Sequence, residues 1–316
     1  MLDVITLGET MVLLSSTTGG SLKYVNTFNK QIGGAESNFA IGINRLGHSS
    51  GWISKVGNDP FGEYLLSFIR GEGVDVSKVK IDNDAQTALY FKEFHELKDP
   101  IVYYYRAGSA ASRMEPADLD EEYISNARIL HLTGITPALS ESAKKTIYRA
   151  IEIAKKHNVM VSFDPNIRRK LWKDEECRQV LLDLITKVDI ILPGISECEF
   201  LFGESNPEKA CAKLLSMGPK IVAIKLGKNG CIVADKNGIQ RVKGIVIEKV
   251  VDSIGAGDGF DAGFITGILN NWDIKECGRL ANDVGGFVTT VSGDIEGLPT
   301  LRDIKEFRGE LNVIDR

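Results

Sequence analysis

Residues 250–263 read Val250-Val251-Asp252-Ser253-Ile254-Gly255-Ala256-Gly257-Asp258-Gly259-Phe260-Asp261-Ala262-Gly263. The run before them, from Gly244 to Val251, is apolar and β-branched, and it predicts a strand. After them, Phe260, Phe264, Ile268 and Leu269 recur at helical spacing, which predicts a helix that ends at Asn270-Asn271. The stretch therefore predicts a strand, a loop of small residues and the start of a helix.

The loop of small residues, Gly255–Gly257, is suited to hold an anion. The first N–H groups of a helix have no partner within it, and the macrodipole makes that end electropositive. Glycine and alanine let an anion approach the bare backbone. Asp258 falls in the first helical turn, where we expect it to be ionised and a weak base. An ordinary capped helix, in which Asp258 only complements the dipole, is the alternative.

Composition indicates the class of protein and its partners. The chain has 316 residues, a net charge of −5 and 43% hydrophobic residues, which is typical of a globular enzyme and argues against nucleic acid or an acidic membrane surface as a partner. It has no basic N-terminal leader and no apolar run of the roughly 18 residues that a membrane helix needs. Five scattered cysteines predict unpaired thiols in a reducing cytoplasm.

Strand-like runs alternate with helical patterns over most of the chain. This alternation predicts an α/β fold in which a mostly parallel sheet carries helices on both faces. No linker or repeat divides the sequence, so we expect one domain, residues 1–316. The strand-like runs are Val4–Gly8, Ile53–Val56, Ile129–Thr133, Val159–Phe163, Ile190–Leu192 and Ile221–Lys225, and the clearest helices are Ser142–Lys156 and Glu208–Met217.

Two segments, at about 10–33 and 87–107, interrupt the alternation with strand-forming residues. In the second, a hairpin is predicted, with its turn at Lys98–Pro100. The two segments together predict a small β-sheet that covers one end of the main sheet as a lid. Such a lid can pair with a second copy, so we expect a homo-oligomer formed through it.

A second glycine motif lies at residues 31–40, where Gly33-Gly34 precede a helix that carries Asn38 and Phe39 in its first turns. Gly47 is positioned to end that helix. A plain turn before a helix would have the same sequence.

Together the two motifs resemble the signatures of the ribokinase-like sugar kinases. Residues 252–258 resemble the family pattern Asp-Thr-x-Gly-Ala-Gly-Asp, with Ser253 in place of threonine, and residues 33–38 resemble its Gly-Gly-x-x-x-Asn. The resemblance extends over nearly the whole chain. It implies a three-layer α/β/α sandwich with a mostly parallel central sheet and a small β-sheet lid.

The resemblance also implies a reaction. The γ-phosphoryl group of ATP, bound with Mg²⁺, would pass to a primary hydroxyl of a sugar, with Asp258 as the general base. The backbone N–H groups of Gly255, Ala256 and Gly257 would form an anion hole for the transferred group.

Two arginine motifs bear on the choice of sugar. Tyr104-Tyr105-Arg106-x-x-Ser-Ala and Asn166-x-Arg168-x-x-Leu-Trp resemble the family members that phosphorylate 2-keto-3-deoxygluconate. Two guanidinium forks would suit the planar carboxylate of such a sugar acid. The residues that the resemblance implies for sugar binding are Gly33, Gly34, Asn38, Tyr90, Tyr104, Arg106, Arg168, Asp258 and Asp294.

Plain alternatives remain for several of these residues. The tyrosine run is also what an aromatic strand would show, and Asp294 could be a solvated loop acid. A kinase for a neutral sugar such as fructose, or a non-catalytic sugar-binding relative, stays open. A dinucleotide-dependent dehydrogenase does not fit, because no Gly-x-Gly-x-x-Gly turn follows the first strand.

For the nucleotide, the resemblance implies a second set of residues. Residues 224–230 would be a simple hairpin on their own, but the family places this turn beside ATP. Family members carry Asn-x-x-Glu where this chain has Gly194-x-x-Glu197, so Glu197 is a candidate for ordering water around magnesium. The implied ATP-binding residues are Asn166, Lys225, Gly227, Lys228, Gly230, Gly255, Gly257 and Asn282.

Overall fold

A computed structural model of the protein describes residues 1–95 and 98–311. The strands are β1 (Leu2–Leu7), β2 (Met11–Ser16), β3 (Phe28–Gly33), β4 (Ser50–Gly57), β5 (Val79–Asp82), β6 (Leu89–His95), β7 (Lys98–Tyr105), β8 (Ala127–Thr133), β9 (Met160–Asp164), β10 (Ile190–Ile191), β11 (Ile221–Lys225), β12 (Cys231–Asp235) and β13 (Gly238–Val242). The α-helices are α1 (Ala35–Arg45), α2 (Pro60–Gly71), α3 (Glu121–Ser125), α4 (Glu141–Lys156), α5 (Asp174–Ile185), α6 (Ile195–Phe202), α7 (Pro207–Met217), α8 (Ala256–Leu269), α9 (Ile274–Val288) and α10 (Leu301–Phe307).

Nine strands form the central sheet, in the order β13-β12-β11-β10-β9-β8-β1-β4-β5. The pairs from β11 to β5 are parallel, whereas β12 and β13 are antiparallel additions at one edge. Alternate side chains enter opposite cores: Ile191 packs with α4–α7, whereas Ile190 packs with α1, α8, α9 and α10. The sheet is therefore buried on both faces, as its continuous apolar strands require.

The second sheet has four strands in the order β3-β2-β6-β7. Strands β2 and β6 pair in parallel, and β3 and β7 are antiparallel to their neighbours. Its inner side contributes buried side chains of its own, Met11, Leu13, Ala88 and Tyr90. This sheet is the lid of the predicted fold class, which the structure confirms.

Most of the predicted elements are present within a few residues of their expected bounds. The hairpin of β6 and β7 is present, but β7 already begins at Lys98, where a turn was expected; the connecting residues 96 and 97 lie outside the described part of the chain. The helix after the small-residue loop ends at Leu269, and Gly47 follows α1 with a φ of 89°. No helix of the described residues is long and apolar enough to cross a membrane.

The strand predicted for Gly244–Val251 is wrong. This segment has no regular secondary structure. The side chains of Val246, Val250 and Val251 are each at least about half exposed. It runs back from the edge strand β13 to the start of α8, where no neighbouring strand is available to pair with it. Its apolar residues instead form the wall of a cleft, described below.

Candidate active site

A cavity of about 510 Å³ opens at the carboxyl ends of β1, β9 and β11, beneath the lid sheet. Ligand sites of open α/β sheets lie at this edge. Every residue that the sequence predicted for sugar binding borders the cavity: Gly33, Gly34, Asn38, Tyr90, Tyr104, Arg106, Arg168, Asp258 and Asp294. The structure thus brings together residues that lie up to 261 positions apart in the sequence.

A second cavity, of about 420 Å³ and mostly apolar, lies beside the first. Ile245, Ile247 and Val250 of the irregular segment form part of its wall. Of the residues predicted for ATP binding, it is bordered by Lys225, Gly227, Lys228, Gly230, Gly257 and Asn282, whereas Asn166 and Gly255 border the first cavity. The two cavities share Lys225, Ser253 and Gly257, so they meet at the start of α8.

The backbone at this junction is built from residues that must be small. Gly255 has a φ of 80°, in the left-handed region that side chains disfavour, and a Cβ there would lie 2.4 Å from the carbonyl oxygen of Asp294. The N–H groups of Gly257 and Asp258 have no hydrogen-bond acceptor among the described residues. The N–H group of Ala256, by contrast, donates to the carbonyl of Ser253 at 3.4 Å, so the unpaired donors at this helix start are those of Gly257 and Asp258.

Asp258 borders the first cavity and not the second. Its Oδ2 accepts a hydrogen bond of 2.8 Å from the Asn38 amide. Burial raises the pKa of Asp258 to about 7; Asn38 and Arg168 act to lower it, and the Asp164 carboxylate acts to raise it. The expectation of a fully ionised, weak base is thus wrong, because desolvation outweighs the helix terminus.

Lys225 lies between the cavities and two buried acids. Its Nζ is 2.9 Å from Asp164 Oδ2 and 2.8 Å from Asp261 Oδ1. Burial raises the pKa of Asp261 well above its usual range. Burial also acts to raise the pKa of Asp164, but the Lys225 ammonium and the hydrogen bond from Asp261 together hold it below the usual value. A Cβ at Gly257 would lie 3.7 Å from the ammonium, so this cation adjoins the anion hole.

Glu197 ties two strand ends together. Its Oε1 accepts from the N–H of Ile167 and its Oε2 from the N–H of Gly194, both at 2.7 Å. Burial raises its pKa. Gly194 has a φ of −79°, and a Cβ there would meet nothing closer than 3.6 Å, so the missing asparagine leaves a space but no strain.

The two arginines differ in a way that the sequence did not show. Arg106 is buried, and its Nε and Nη2 both lie 2.7 Å from Glu9 Oε2, so one edge of its guanidinium already has a carboxylate partner. Glu9 also accepts a hydrogen bond from Ser109. Arg168 is exposed at the cavity rim and makes no side-chain hydrogen bond or ion pair within the described part of the chain.

On the lid side, Tyr90 and Asp294 form one unit. The Tyr90 hydroxyl donates a hydrogen bond of 2.7 Å to Asp294 Oδ2, and a Cβ at Gly33 would overlap both side chains. Burial raises the pKa of Asp294 to about 6 and raises that of Tyr90 as well. Asp294 is therefore not the solvated loop acid of the alternative reading.

The two asparagines predicted for the nucleotide have different partners, backbone carbonyls for Asn282 and a carboxylate for Asn166. Asn282 donates to the carbonyls of Val242 and Lys243, at 3.4 and 3.1 Å, and so fixes the exit from β13 while it borders the cavity. The Asn166 amide donates to Asp164 at 3.2 Å.

Sequence reasoning missed three buried charges near the site: Glu9, Glu36 and Lys92. The first two border the acceptor cavity, and Glu36 accepts hydrogen bonds from Thr133 and Thr136. Glu9 follows β1 directly, so the rule that strand ends carry ligand sites would have found it. Lys92 lies inside a lid strand, where nothing local indicates burial.

Comparison with known proteins gives a consistent result. The model of the pfkB family carbohydrate kinases matches residues 1–301. The 2-dehydro-3-deoxygluconokinase of Bacillus subtilis (strain 168) is 40% identical over 97% of this chain and 95% of its own length, and that of Thermoproteus tenax is 36% identical over 97% and 94%. An E. coli protein with the provisional name Ribokinase II, solved with ATP and Mg²⁺, has a TM-score of 0.91 and 27% identity over 98% of this chain and all of its own.

The raised pKa of Asp258 makes a prediction about stability. Between about pH 4 and pH 7 the folded state holds a proton on Asp258 that the unfolded state has lost, so this group destabilises the fold progressively as the pH rises through that window. Asp258→Asn removes the effect and keeps an acceptor for Asn38. In urea unfolding, the free energy of unfolding of Asp258→Asn, measured relative to that of wild type, should increase by about 1–3 kcal/mol from pH 5 to pH 8.

The matched control is Asp84→Asn, which changes an exposed loop carboxylate. Its stability relative to wild type should be the same at both pH values. An Asp258→Asn difference that is equally independent of pH would contradict the raised pKa.

Proposed function

Because the chain belongs to the pfkB family of carbohydrate kinases, we propose that it transfers the γ-phosphoryl group of ATP to the primary hydroxyl of 2-keto-3-deoxygluconate. The products are 2-keto-3-deoxy-6-phosphogluconate and ADP. Support comes from the relatives named 2-dehydro-3-deoxygluconokinase, since that name denotes a kinase of the same keto-acid. A phosphotransferase with an alcohol acceptor needs two binding clefts that meet at one anion site.

The observation that carries the proposal is the junction of the two cavities. Lys225, Ser253 and Gly257 border both, and Asp258 faces the acceptor side only. The mostly apolar cavity suits an adenine ring, and the polar cavity under the lid suits a sugar acid. A phosphoryl group that passes between them would cross the unpaired N–H groups of α8.

Asp258 is proposed as the general base. The acceptor oxygen forms a bond to the γ-phosphorus as the bond from that phosphorus to the bridging oxygen of ADP breaks, and the hydroxyl proton goes to the Asp258 carboxylate. A pKa of about 7 lies near the working pH and so makes this carboxylate a stronger base than an ordinary aspartate. The Asn38 amide orients it from the other side.

Within the proposed Gly255–Gly257 anion hole, charge on the transferred group is stabilised by the unpaired N–H group of Gly257 and by the Lys225 ammonium beside it, since the N–H group of Ala256 already donates to Ser253. Such fixed donors act where the negative charge resides during phosphoryl transfer. Since Asp164 and Asp261 also contact Lys225, the ammonium is held in place before ATP binds.

Magnesium, when bound with ATP, supplies further neutralisation of the phosphates. The described residues contain no cluster of three acidic, histidine or cysteine side chains that could hold a metal by themselves. That fits Mg²⁺, which binds through phosphate oxygens, water and few carboxylates. Besides Asp258, the carboxylates of Asp164 and Glu197 border the first cavity near the junction, and Glu197 would act through water because backbone N–H groups already bind both of its oxygens.

A kinase of a neutral sugar is the second candidate, and one observation favours it. Glu9 already neutralises Arg106, so a single unpaired guanidinium, that of Arg168, is left for a carboxylate. The sugar acid remains the better proposal because of the relatives' names, and because Arg106 keeps Nη1 for a second contact.

We also propose that the protein works in the cytoplasm, as its five buried, unpaired cysteines suit a reducing compartment.

A homo-oligomer through the lid stays a prediction. The exposed side chains of Tyr103 and Tyr105 on β7 support it. Sedimentation of wild type and Tyr105→Glu would test it: a monomeric wild type contradicts the pairing.

The proposed reaction is tested by ADP release with ATP and Mg²⁺ and, in turn, 2-keto-3-deoxygluconate, fructose, ribose, adenosine or no acceptor. We expect a rate confined to the keto-acid. Asp258→Asn should stay folded and lose roughly 100- to 10,000-fold in kcat, because the hydroxyl proton has no acceptor. Asp84→Asn is the control and should behave as wild type.

A preference for fructose would replace the sugar-acid proposal by the neutral-sugar one. Near-normal turnover by Asp258→Asn would remove Asp258 from its role as the base.

Arg168 is the sharper test of the carboxylate. Arg168→Ala should raise KM for the keto-acid by about tenfold or more, the effect expected when a hydrogen bond to a charged group is lost, and should change KM for a weak neutral acceptor little. Arg169→Ala is the matched control. Arg169 follows Arg168 in the sequence and is also exposed, but it pairs with Asp174 and does not border the cavity.

Arg106→Ala is expected to show the same preference, but it also leaves Glu9 buried without its cation. The double variant Arg106→Met with Glu9→Gln removes both charges, so a change in KM is not confused with the effect of an unpaired buried carboxylate. Equal losses on acid and neutral acceptors in the Arg168 and Arg106 variants would contradict a carboxylate site.

A further inference from the structure

The lid contains one buried ammonium that the proposed chemistry does not use. Lys92 lies in the middle of β6 and is only 1% exposed. Its Nζ contacts Asp252 Oδ2 directly and lies 4.0 Å from Asp294 Oδ1. A buried lysine is retained in charged form only where such partners compensate its lost hydration.

Both partners belong to loops that support the anion hole. Asp252 precedes it in sequence, and its Oδ1 accepts from the N–H of Ile254 at 3.2 Å, while its Oδ2 accepts from the N–H of Gly293 at 3.4 Å. Asp294 supplies the carbonyl oxygen that packs against the Cα of Gly255. The ammonium therefore lies between the two loops that fix the backbone of Gly255.

The charges around Lys92 explain why the cation matters there. Asp252 and Asp294 repel each other, so Asp252 acts to raise the pKa of Asp294. The positive charge of Lys92 acts to lower the pKa of Asp294. The Phe94 ring, 5.6 Å from Nζ, closes the site on the lid side. Without the ammonium, the two carboxylates would face each other in a site that solvent does not reach.

We propose that Lys92 is a positioning residue for phosphoryl transfer, a built-in counter-ion that joins Asp252 and Asp294 and so holds the Gly255–Gly257 loop at the geometry of the anion hole. It acts through the loop and touches neither sugar nor nucleotide. The inference rests on the proposed function, because the loop has this task only if a phosphoryl group crosses it.

The test compares Lys92→Met with Lys80→Met, which makes the same change at an exposed position of β5. A displaced anion hole should lower kcat by about 100-fold, the effect of a small misplacement at the reacting centre. KM for the acceptor and the Kd of ADP should change less than about threefold, since uniform binding is retained. Lys80→Met should match wild type in all three.

A merely structural role would lower the unfolding midpoint and leave kcat per folded molecule unchanged, which would overturn the inference. If Lys92→Met does not fold, the double variant Lys92→Met with Asp252→Asn takes its place in the comparison, because the second substitution removes the carboxylate charge left without a partner. A folded double variant with wild-type kcat would equally overturn the inference.

Chemical rescue gives a readout that a packing role would not move. Lys92→Ala leaves a space the size of the lost side chain beside two carboxylates. Ammonium chloride should raise kcat of this variant severalfold and saturably, and tetramethylammonium chloride at the same ionic strength should not, because its ion is too large for the site. A response to ammonium no greater than that to tetramethylammonium contradicts the inference.

Failure of the proposed function would be seen separately. If no acceptor raises ADP release by wild type above the rate without acceptor, the sugar-kinase proposal fails, whatever Lys92 does. Background ATP hydrolysis then replaces acceptor-dependent turnover as the readout: a Lys92→Met rate well below that of Lys80→Met supports the positioning role, and equal rates overturn it.

Discussion

The site depends on the unpaired N–H groups at the start of α8. The first N–H groups of a helix need acceptors from outside it, and here the described residues give the N–H groups of Gly257 and Asp258 none. The terminus is held open by Gly255, whose left-handed backbone packs against the carbonyl of Asp294. Because the two cavities share Ser253 and Gly257, anything that passes from one to the other meets these donors.

The same junction concentrates groups that destabilise the folded chain. Burial raises the pKa of Asp258, Asp261 and Asp294. Lys225 contacts Asp261, and both Arg168 and Lys225 act to lower the pKa of Asp258. Acids with raised pKa values next to a cleft are typical of functional sites, where stability is given up for reactivity. The apolar cores on the two faces of the central sheet offset that loss, which explains why such a site lies at the end of a sheet that is otherwise buried.

Local signals made the architecture predictable from the sequence, whereas the residues of the cavity lining came from the resemblance to a known family. The helical spacing after Gly255, the alternation of strands and helices, and the strand-rich insertions each depend on neighbours in the chain. The pairs Lys92–Asp252 and Glu9–Arg106 join residues 160 and 97 positions apart, so no local pattern could reveal them. Gly244–Val251 failed as a strand because a cavity wall and a strand favour the same apolar, β-branched residues.

Strand β6 connects the lid to two places in the site, the wall of the first cavity and the loop before α8. Tyr90 and Lys92 are two residues apart, so they project from the same face of the strand. Tyr90 borders the first cavity and donates a hydrogen bond to Asp294, and Lys92 contacts Asp252 in the loop before α8. One lid strand therefore contacts both the wall of that cavity and the loop that leads to the unpaired N–H groups, which ties the position of the lid to the backbone at the start of α8.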